Sequence, residues 1–135
     1  MKVTYSDLKN KRVFISGGGS GIGATIVEYF CEQKSEVYFI DIDLKSSNKL
    51  IKKIKKKGFR VPKFIECNIL DVKKLQNIIK DIISKKGAIH CLINSAANDD
   101  RHTTEQVDEK YWENRMGINL KHYFFAAQAV VKGMK

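Results

Sequence analysis

The stretch that decides the fold is "SGGGSGIG", Ser16 to Gly23, together with the apolar run "RVFIS" that leads into it. Five of the eight residues from Ser16 to Gly23 are glycine. Arg12–Ser16 is predicted to be a buried strand, and Gly21–Lys34 a helix. The buried face of that helix is predicted to contain Ile22, Ile26, Val27 and Phe30. A glycine-rich turn between a strand and a helix lets bare backbone approach a ligand closely, and phosphate is the common ligand there.

The alternation of strand and helix continues along the rest of the chain. Further strands are predicted at Glu36–Asp41, Val61–Cys67 and Ala88–Asn94. Three helices are predicted: Lys45–Lys57 closed by Gly58, one from the N-cap Asp71 to Lys86 before Gly87, and one from about Asp108 to Lys132 stopped by Gly133. Apolar residues at helical spacing mark the inward faces of the first two: Leu50, Ile51 and Ile54, then Leu75, Ile78, Ile79, Ile82 and Ile83.

This β-α-β-α-β-α-β-α order is typical of an α/β fold in which helices cover both faces of a parallel sheet. Right-handed crossovers predict the strand order 3-2-1-4, a Rossmann-type sheet truncated to four βα units. Pro62 lacks the N–H that an inner strand requires, so its strand is expected at the margin of the sheet. Residues 1–135 are interpreted as one domain.

The net charge of +10 raises the possibility of a nucleic-acid-binding protein. Most lysines, however, alternate with isoleucine and leucine at helical spacing, as in "LIKKIKKKG", and no aromatic residues are interleaved as stacking platforms. A solvated helix face is therefore preferred, so nucleic acid is an unlikely partner, and a polyanion-binding surface is the alternative.

The chain also shows no signal for export or for membrane insertion. The polar start "MKVTYSDLKNK" lacks the apolar segment of a signal peptide, and no window approaches the ~18 apolar residues of a membrane span. Cys31, Cys67 and Cys91 fall inside apolar segments without metal-ligand spacing, so reduced and buried thiols are expected. A cytoplasmic protein without a membrane or metal partner is expected.

The spacing of the glycines and one downstream carboxylate indicate the kind of ligand. The glycines fall as Gly17-x-x-x-Gly21-x-Gly23, where backbone N–H groups and a helix N-terminus would meet a pyrophosphate; a tight turn without a ligand is the alternative. Asp41 closes the second predicted strand, where a carboxylate can accept hydrogen bonds from both adenosine-ribose hydroxyls and repel a 2′-phosphate. NAD is therefore expected rather than NADP. Asp43 competes for the same role, and Asp41 could also be an ordinary strand-end residue.

With these residues in view, the chain resembles the classical short-chain dehydrogenases/reductases. "SGGGSGIG" is similar to the family motif T-G-x-x-x-G-I-G, with Ser16 in place of threonine. "CNILDV" resembles the segment whose acidic residue touches adenine, here replaced by Asn68, and "INSAAN" resembles the N-N-A-G motif at Asn94 and Ala96. "YWENRMGINLKHYFFAAQAV" resembles the following helix, with Asn119 at the family's catalytic asparagine.

The resemblance implies hydride transfer between nicotinamide and an alcohol or carbonyl carbon, with a tyrosine as general acid/base, a lysine that lowers its pKa, a serine and an asparagine. Asn119 is the implied catalytic residue, although such an asparagine also has a structural role in opening a helix bulge. The implied cofactor-binding residues are Gly17, Ser20, Gly21, Ile22, Gly23, Asp41, Ile42, Asn68, Ile69, Asn94, Ser95 and Ala96. The segments "NDDRH" and "NLKHYFFAAQAV" look most like the sugar (aldose) dehydrogenases, so residues 99–102 are a candidate sugar pocket or simply a solvated loop.

The family's serine and its Y-x-x-x-K motif are not found after the fourth predicted strand. "YSDLK" (Tyr5 to Lys9) precedes the first strand and is expected at the wrong edge of the sheet, and "YWENR" (Tyr111 to Arg115) has arginine in place of lysine. The chain is therefore interpreted as the cofactor-binding half of an oxidoreductase, inactive by itself. Its fourth strand is expected to be an unpaired edge, and its last helix to be apolar, so self-association or pairing with a complementing chain is expected. The alternative is a non-catalytic NAD-binding module that pairs with another chain.

Overall fold

Four parallel strands form one sheet in the computed structural model, which describes residues 3–135. The strands are β1 (Arg12–Ser16), β2 (Glu36–Asp41), β3 (Lys63–Glu66) and β4 (Cys91–Asn94). Their order is β3-β2-β1-β4, which confirms the predicted 3-2-1-4 order and places the strand after Pro62 at a margin of the sheet. Ser16 lies opposite both Ile40 and Asn94, so the carboxyl ends of β1, β2 and β4 meet at one edge.

The described residues form five α-helices around the sheet: α1 (Gly21–Glu32), α2 (Leu44–Lys56), α3 (Val72–Lys86), α4 (Glu109–Met116) and α5 (His122–Met134). A π-helical turn, Gly117–Lys121, joins α4 to α5, and short 3₁₀ turns occur at Ser6–Leu8 and Thr104–Gln106. Helices α2, α3 and α4 each begin at an aspartate whose carboxylate accepts a backbone N–H of the first turn. These three N-caps are Asp43, Asp71 and Asp108.

The sheet separates two hydrophobic cores. On one face α1 and α2 cover Val13, Ile15, Val37 and Phe39. On the other face α3 and α5 cover Phe14, Tyr38 and Ile40. Both faces of β1 and β2 are therefore buried, as the apolar runs in those strands predict. The lysine-rich helices α2 and α3 lie on opposite faces of the sheet, so their lysines do not share one surface.

Both edge strands are shorter than predicted. Pairing of the predicted strand Val61–Cys67 starts only at Lys63, since Pro62 has no N–H to donate. In the predicted strand Ala88–Asn94, pairing with β1 begins at Cys91, next to a bond from the His90 N–H to the Arg12 carbonyl at 2.9 Å. The Arg12 guanidinium donates to the Ala88 carbonyl at 2.5 Å, and the His90 ring accepts the Arg12 backbone N–H at 3.0 Å.

Several helix predictions are also corrected. The first helix was predicted to reach Lys34 but ends at Glu32, because Lys34 adopts a left-handed conformation with φ 63°. The predicted second helix, Lys45–Lys57, lies one residue earlier as α2, and Gly58 follows it with φ 72° as expected. Gly133 does not stop the last helix. A Cβ at Gly133 would lie 3.1 Å from the Cβ of Ala88, so this glycine permits close packing instead.

The last predicted helix, Asp108–Lys132, is not one continuous α-helix, because the wide turn Gly117–Lys121 divides it. Ile22 was predicted to face the core but is 79% exposed. Cys31 and Cys67 are buried and Cys91 is half-buried, and none of the three forms a disulfide. Burial raises the pKa of the Cys31 thiol to about 12. Within residues 3–135, every helix is too short or too polar to cross a membrane.

Candidate functional site

A cleft of about 730 Å³ lies at the carboxyl edge of the sheet. The loop after β1 forms its floor, the loops after β2 and β3 form one wall, and the segment after β4 forms the other. It lies where the strand order reverses around β1, which is the usual ligand position in such sheets. The lining residues are Gly17, Ser20, Gly21, Ile22, Gly23, Asp41, Ile42, Asp43, Cys67, Asn68, Ile69, Ser95, Ala96, Ala97, Asn98, Asp99 and Ile118.

The glycine loop is held tightly against its neighbours. Gly17 has φ 68°, and a Cβ there would lie 2.6 Å from the Cα of Ala96. A Cβ on Gly23 would lie only 1.9 Å from the carbonyl oxygen of Gly17. The N–H groups of Gly17 and Gly18 donate to the carbonyl of Ile40 at 2.9 and 3.1 Å, which fixes the loop to the end of β2. Glycine is therefore required at both Gly17 and Gly23 for the loop to close.

The N-terminus of α1 differs from those of α2, α3 and α4. Its N-cap residue is Ser20, whose side chain makes no capping hydrogen bond. At Gly21, which has φ 53°, a Cβ would meet no atom within 4 Å, so the first turn of α1 opens into space. The N–H groups and the positive dipole end of a 12-residue helix are thus presented to the cleft, where an anionic group would complete the cap.

Asp41 and Asp43 both line the cleft, but their carboxylates have different partners. Asp41 Oδ2 accepts the Gly19 N–H at 2.8 Å, and its Oδ1 accepts the Asp43 N–H at 2.9 Å. Asp43 Oδ1 accepts the Ser46 N–H at 2.9 Å as the N-cap of α2, and hydrogen bonds from Ser46 hold the pKa of Asp43 below its usual value. Asp41 is thus tied to the glycine loop, and Asp43 to its own helix.

The opposite wall is the segment after β4, and three side chains hold it from beneath. Ser16 Oγ accepts the N–H groups of Ser95 and Ala96 at 3.2 and 3.4 Å. The Tyr123 hydroxyl donates to the Ala96 carbonyl at 3.2 Å. Further along, Asn119 Oδ1 accepts the Asn98 N–H and its Nδ2 donates to the Asn98 carbonyl, both at 2.9 Å. The wall is therefore positioned before any ligand arrives.

Eleven of the twelve residues predicted to contact a cofactor line this cleft. The remaining one, Asn94, points elsewhere: its Nδ2 donates to the Tyr123 carbonyl at 3.4 Å. Asn119 is not a lining residue either, but it lies in the π turn and acts on the cleft through Asn98. The lining residues that sequence reasoning missed are Cys67, Ala97, Asn98 and Ile118. Asn98 could have been proposed from its place directly after the "NSAA" segment, whereas Ile118 enters only through the π turn.

The residues from Asp99 to His102, predicted as a possible pocket, do not all face the cleft. Only Asp99 lines the cleft. Asp100 forms an ion pair with Arg115 at 3.1 Å, and its carbonyl accepts the Tyr111 hydroxyl at 3.1 Å. The ring of His102 packs against Tyr111 with centroids 4.2 Å apart. The tyrosine and arginine of "YWENR" therefore anchor this loop.

Tyr5, the other tyrosine of a Y-x-x-x-K sequence, lies away from the cleft. Its N–H donates to Gln33 Oε1 at 2.8 Å, just beyond the end of α1 and before β2 begins. That position is at the amino edge of the sheet, as predicted from its place before the first strand. Within the described residues no Tyr–Lys pair of this spacing faces the cleft.

Comparison with known proteins gives a consistent family. A model of the short-chain dehydrogenase family matches residues 11–135. The chain is 37% identical over 131 residues to a probable galactose dehydrogenase of Rhizobium meliloti, covering 97% of this chain and 51% of that protein. It is 39% identical over 132 residues to the D-xylose 1-dehydrogenase of Caulobacter vibrioides, covering 97% of this chain and 51% of that protein.

Solved structures show the same architecture. The ligand-free aldohexose dehydrogenase of Thermoplasma acidophilum superimposes with a TM-score of 0.81 at 25% identity, covering 96% of this chain and 46% of that one. A short-chain dehydrogenase/reductase of Burkholderia xenovorans gives a TM-score of 0.88 at 21% identity, covering 96% and 53%, which shows the fold alone. The chain thus spans about half the length of the relatives it matches.

Proposed function

The chain belongs to the short-chain dehydrogenase family, and on that premise we propose that its cleft binds NAD as part of an oxidoreductase. The reaction is hydride transfer between nicotinamide and an alcohol or carbonyl carbon. The observation that carries the proposal is the open N-terminus of α1, which faces the cleft between the glycine loop and the carboxylate of Asp41.

The glycine loop fits a pyrophosphate. Gly17 and Gly23 close the loop without side chains, and the space in front of Gly21 would be filled by a Cβ. Because Ser20 does not cap α1, the first N–H groups of the helix are available to phosphate oxygens. Hydrogen bonds to a charged acceptor at this position are worth about 1.5–3 kcal/mol each.

The adenosine side fits an unphosphorylated ribose. The Gly19 and Asp43 N–H groups hold the Asp41 carboxylate in one orientation at the cleft wall, so it can accept bonds from ribose hydroxyls without further ordering. A 2′-phosphate in the same place would meet a fixed negative charge, which favours NAD over NADP. Asn68 and Ile69 would line the adenine pocket on the same side of the cleft.

The proton-transfer groups of the family are not among these residues. Asn119 is the one position that matches the catalytic set, and both ends of its amide are bonded to the backbone of Asn98. We therefore assign Asn119 a positioning role in the cofactor-free chain. Hydride transfer requires a serine and a tyrosine–lysine pair from outside residues 1–135, and these residues by themselves are expected to be inactive.

A sugar is the proposed substrate. Two relatives are named a galactose and a xylose dehydrogenase, and both match almost the whole of this chain. Asn98 and Asp99 are the residues of the "NDDRH" segment that line the cleft, and the Asp99 carboxylate can accept hydrogen bonds from neighbouring hydroxyl groups. The three unpaired cysteines support a cytoplasmic location.

A binding titration of the purified chain with NAD and with NADP tests the cofactor assignment. We expect binding of NAD and weak or no binding of NADP. Asp41→Asn removes the negative charge while keeping the side-chain shape, so it should reduce the ratio of NAD affinity to NADP affinity. Asp43→Asn is the matched control, because asparagine is an equally good N-cap and the preference should stay unchanged. Equal binding of both cofactors by the unaltered chain would contradict the role of Asp41.

The second candidate function is a non-catalytic NAD-binding module that pairs with another chain. It is favoured by the unpaired edge of β4 and by exposed apolar side chains of the π turn and α5, among them Leu120 and Phe124. Light scattering should show a concentration-dependent dimer that Phe124→Glu weakens. Tyr29→Glu on α1 is the control, since Tyr29 and Phe124 are both 63% exposed. A strictly monomeric chain would argue against a self-pairing module.

A further inference from the structure

One fully buried ionisable side chain has no part in the proposed function. His122 is the first residue of α5, directly after the π turn, and its side chain is completely inaccessible to solvent. Its Nε2 lies 3.4 Å from Oγ of Ser16, which is also completely buried and is the last residue of β1. A buried imidazole normally requires a polar partner, and Ser16 is the partner shown for Nε2.

Counting hydrogens assigns the direction of this contact. A serine hydroxyl has one hydrogen and two acceptor lone pairs. The N–H groups of Ser95 and Ala96 are donors directed at Ser16 Oγ, and the Ser95 N–H is shared with the backbone carbonyl of Ser16, also at 3.2 Å. With both N–H groups as donors to Oγ, the single hydrogen of Oγ is directed at Nε2 of His122, which then accepts it. This arrangement corresponds to a neutral His122 with its proton on Nδ1, a buried atom without a hydrogen-bond partner among residues 3–135.

The surroundings of the ring agree with a neutral imidazole. Burial lowers the pKa of His122, and the nearby carbonyl groups of Ile118 and Gly117 offset this only in part. A doubly protonated ring would place a third donor against Ser16 Oγ, in addition to the N–H groups of Ser95 and Ala96.

We propose that His122 is a positioning residue that orients the hydroxyl of Ser16 and, through it, the Ser95–Ala96 wall of the cleft. With Nε2 taking the hydroxyl hydrogen, the lone pairs of Oγ are held toward the two N–H groups. Without this acceptor the buried hydroxyl must rotate toward another partner, and its two bonds to the wall loosen. The π turn serves this contact, since it sets the position of α5 relative to the end of β1.

The tautomer can be measured directly on the unaltered chain. ¹⁵N NMR of the imidazole rings distinguishes a nitrogen that carries a proton from one that does not. At neutral pH we expect His122 to show a protonated Nδ1 and an unprotonated Nε2. A proton on Nε2, or a doubly protonated ring, would overturn the proposal without any variant having been made.

Two substitutions test the positioning role in the cofactor-free chain. His122→Leu keeps the approximate volume but removes the acceptor, so hydrogen exchange of the Ala96 amide should accelerate by roughly three- to tenfold, the worth of one hydrogen bond. The Ser95 amide should change less, because it also donates to the Ser16 carbonyl. His122→Gln restores an acceptor and should return the Ala96 exchange rate to within about twofold of the original, as a conservative replacement. The Gly17 amide, bonded to the Ile40 carbonyl, is the internal reference and should not change.

The double variant shows whether His122 acts through Ser16. In a Ser16→Ala chain the Ala96 amide should already exchange fast, and adding His122→Leu should accelerate it no further. Additive effects, or equal effects of leucine and glutamine at position 122, would overturn the proposal. The consequence for NAD affinity, a loss in His122→Leu that His122→Gln restores, rests on the proposed function. The tautomer and the exchange rates do not depend on NAD binding, so failure of the two proposals can be told apart.

Discussion

Gly23→Ala is the sharpest test of the glycine loop. The added Cβ would lie 1.9 Å from the carbonyl oxygen of Gly17, whereas contacts below 3.0 Å are essentially never seen. The first turn of α1 and the start of the loop must therefore separate by at least 1.1 Å, the difference between these distances. The atoms involved are backbone, so rotation of a side chain cannot relieve the overlap.

The expected magnitude follows from this displacement. Misaligning one charge-assisted hydrogen bond to a phosphate costs about 1.5–3 kcal/mol, which weakens binding roughly 10- to 100-fold. The overpacking also lowers the free energy of unfolding by about 1–3 kcal/mol.

A thermal melt with and without NAD measures both effects. A ligand at 100 times its Kd stabilises the folded state by about 2.7 kcal/mol, which for a chain of this length raises the Tm by about 9 °C. At the same NAD concentration, a 100-fold weaker variant should gain only about 1–2 °C.

Gly58→Ala is the matched control. Gly58 also has a positive φ, 72°, but a Cβ there meets no atom within 4 Å, and it lies at the end of α2 away from the cleft. Strain of about 1–2 kcal/mol should lower its Tm by about 4–7 °C and leave the NAD-induced rise intact. If Gly23→Ala kept the full rise, the loop would not be the phosphate site. If Gly58→Ala lost it as well, the effect would be general destabilisation.

Three further predictions concern stability. Lys34→Gly should raise the free energy of unfolding by about 1 kcal/mol, because Lys34 has the left-handed φ of 63°. Asn10→Gly should raise the free energy of unfolding less, since Asn10 also has φ 63° but asparagine tolerates this conformation. Chemical denaturation measures both values. Asn119→Asp keeps the acceptor used by the loop N–H but loses the donor to the loop carbonyl, and denaturation should show a loss of about 1 kcal/mol. Burial lowers the pKa values of His122 and His90 from 6.5, so below about pH 6.5 the unfolded chain binds more protons than the folded chain. Stability should be complete above about pH 6.5 and fall as the pH drops toward the lowered pKa of His122, by at most about 1.4 kcal/mol per pH unit. His90 is exposed, so solvent screening makes its contribution smaller. His122→Leu should flatten this dependence, and an unchanged slope would show that His122 is not its source.

Periodicity in the sequence was enough to predict the sheet and most of the helices. The strand order and the caps at Asp71 and Gly58 follow from local rules, and the structure agrees with each. The errors arose where side chains from distant segments act on the backbone. The side chains of Arg12 and His90 bond to backbone groups next to the start of the fourth strand, and the packing of Gly133 on Ala88 lets the last helix continue.

The candidate site was predictable in part for the same reason. The glycine spacing and the strand-end carboxylate of Asp41 are local patterns, so their common position at the cleft followed from a parallel sheet. The contact of His122 with Ser16 joins residues 106 positions apart across a π turn, and no spacing in the sequence signals it. The different partners of Asp99 and Asp100 likewise depend on where Arg115 lies in space.

The central position of β1 has a consequence for how the protein is made. β1 pairs with β2 from 24 residues downstream, but its other neighbour, β4, begins pairing 78 residues after Val13. At synthesis rates of ~5–20 residues per second, β4 emerges roughly 4–16 s after β1. Until then the edge of β1 at Val13, Phe14 and Ile15 is unpaired on the nascent chain. It can pair with other nascent chains on the same mRNA. We therefore expect chaperones to bind ribosome-attached chains in which β2 has been synthesised and β4 has not.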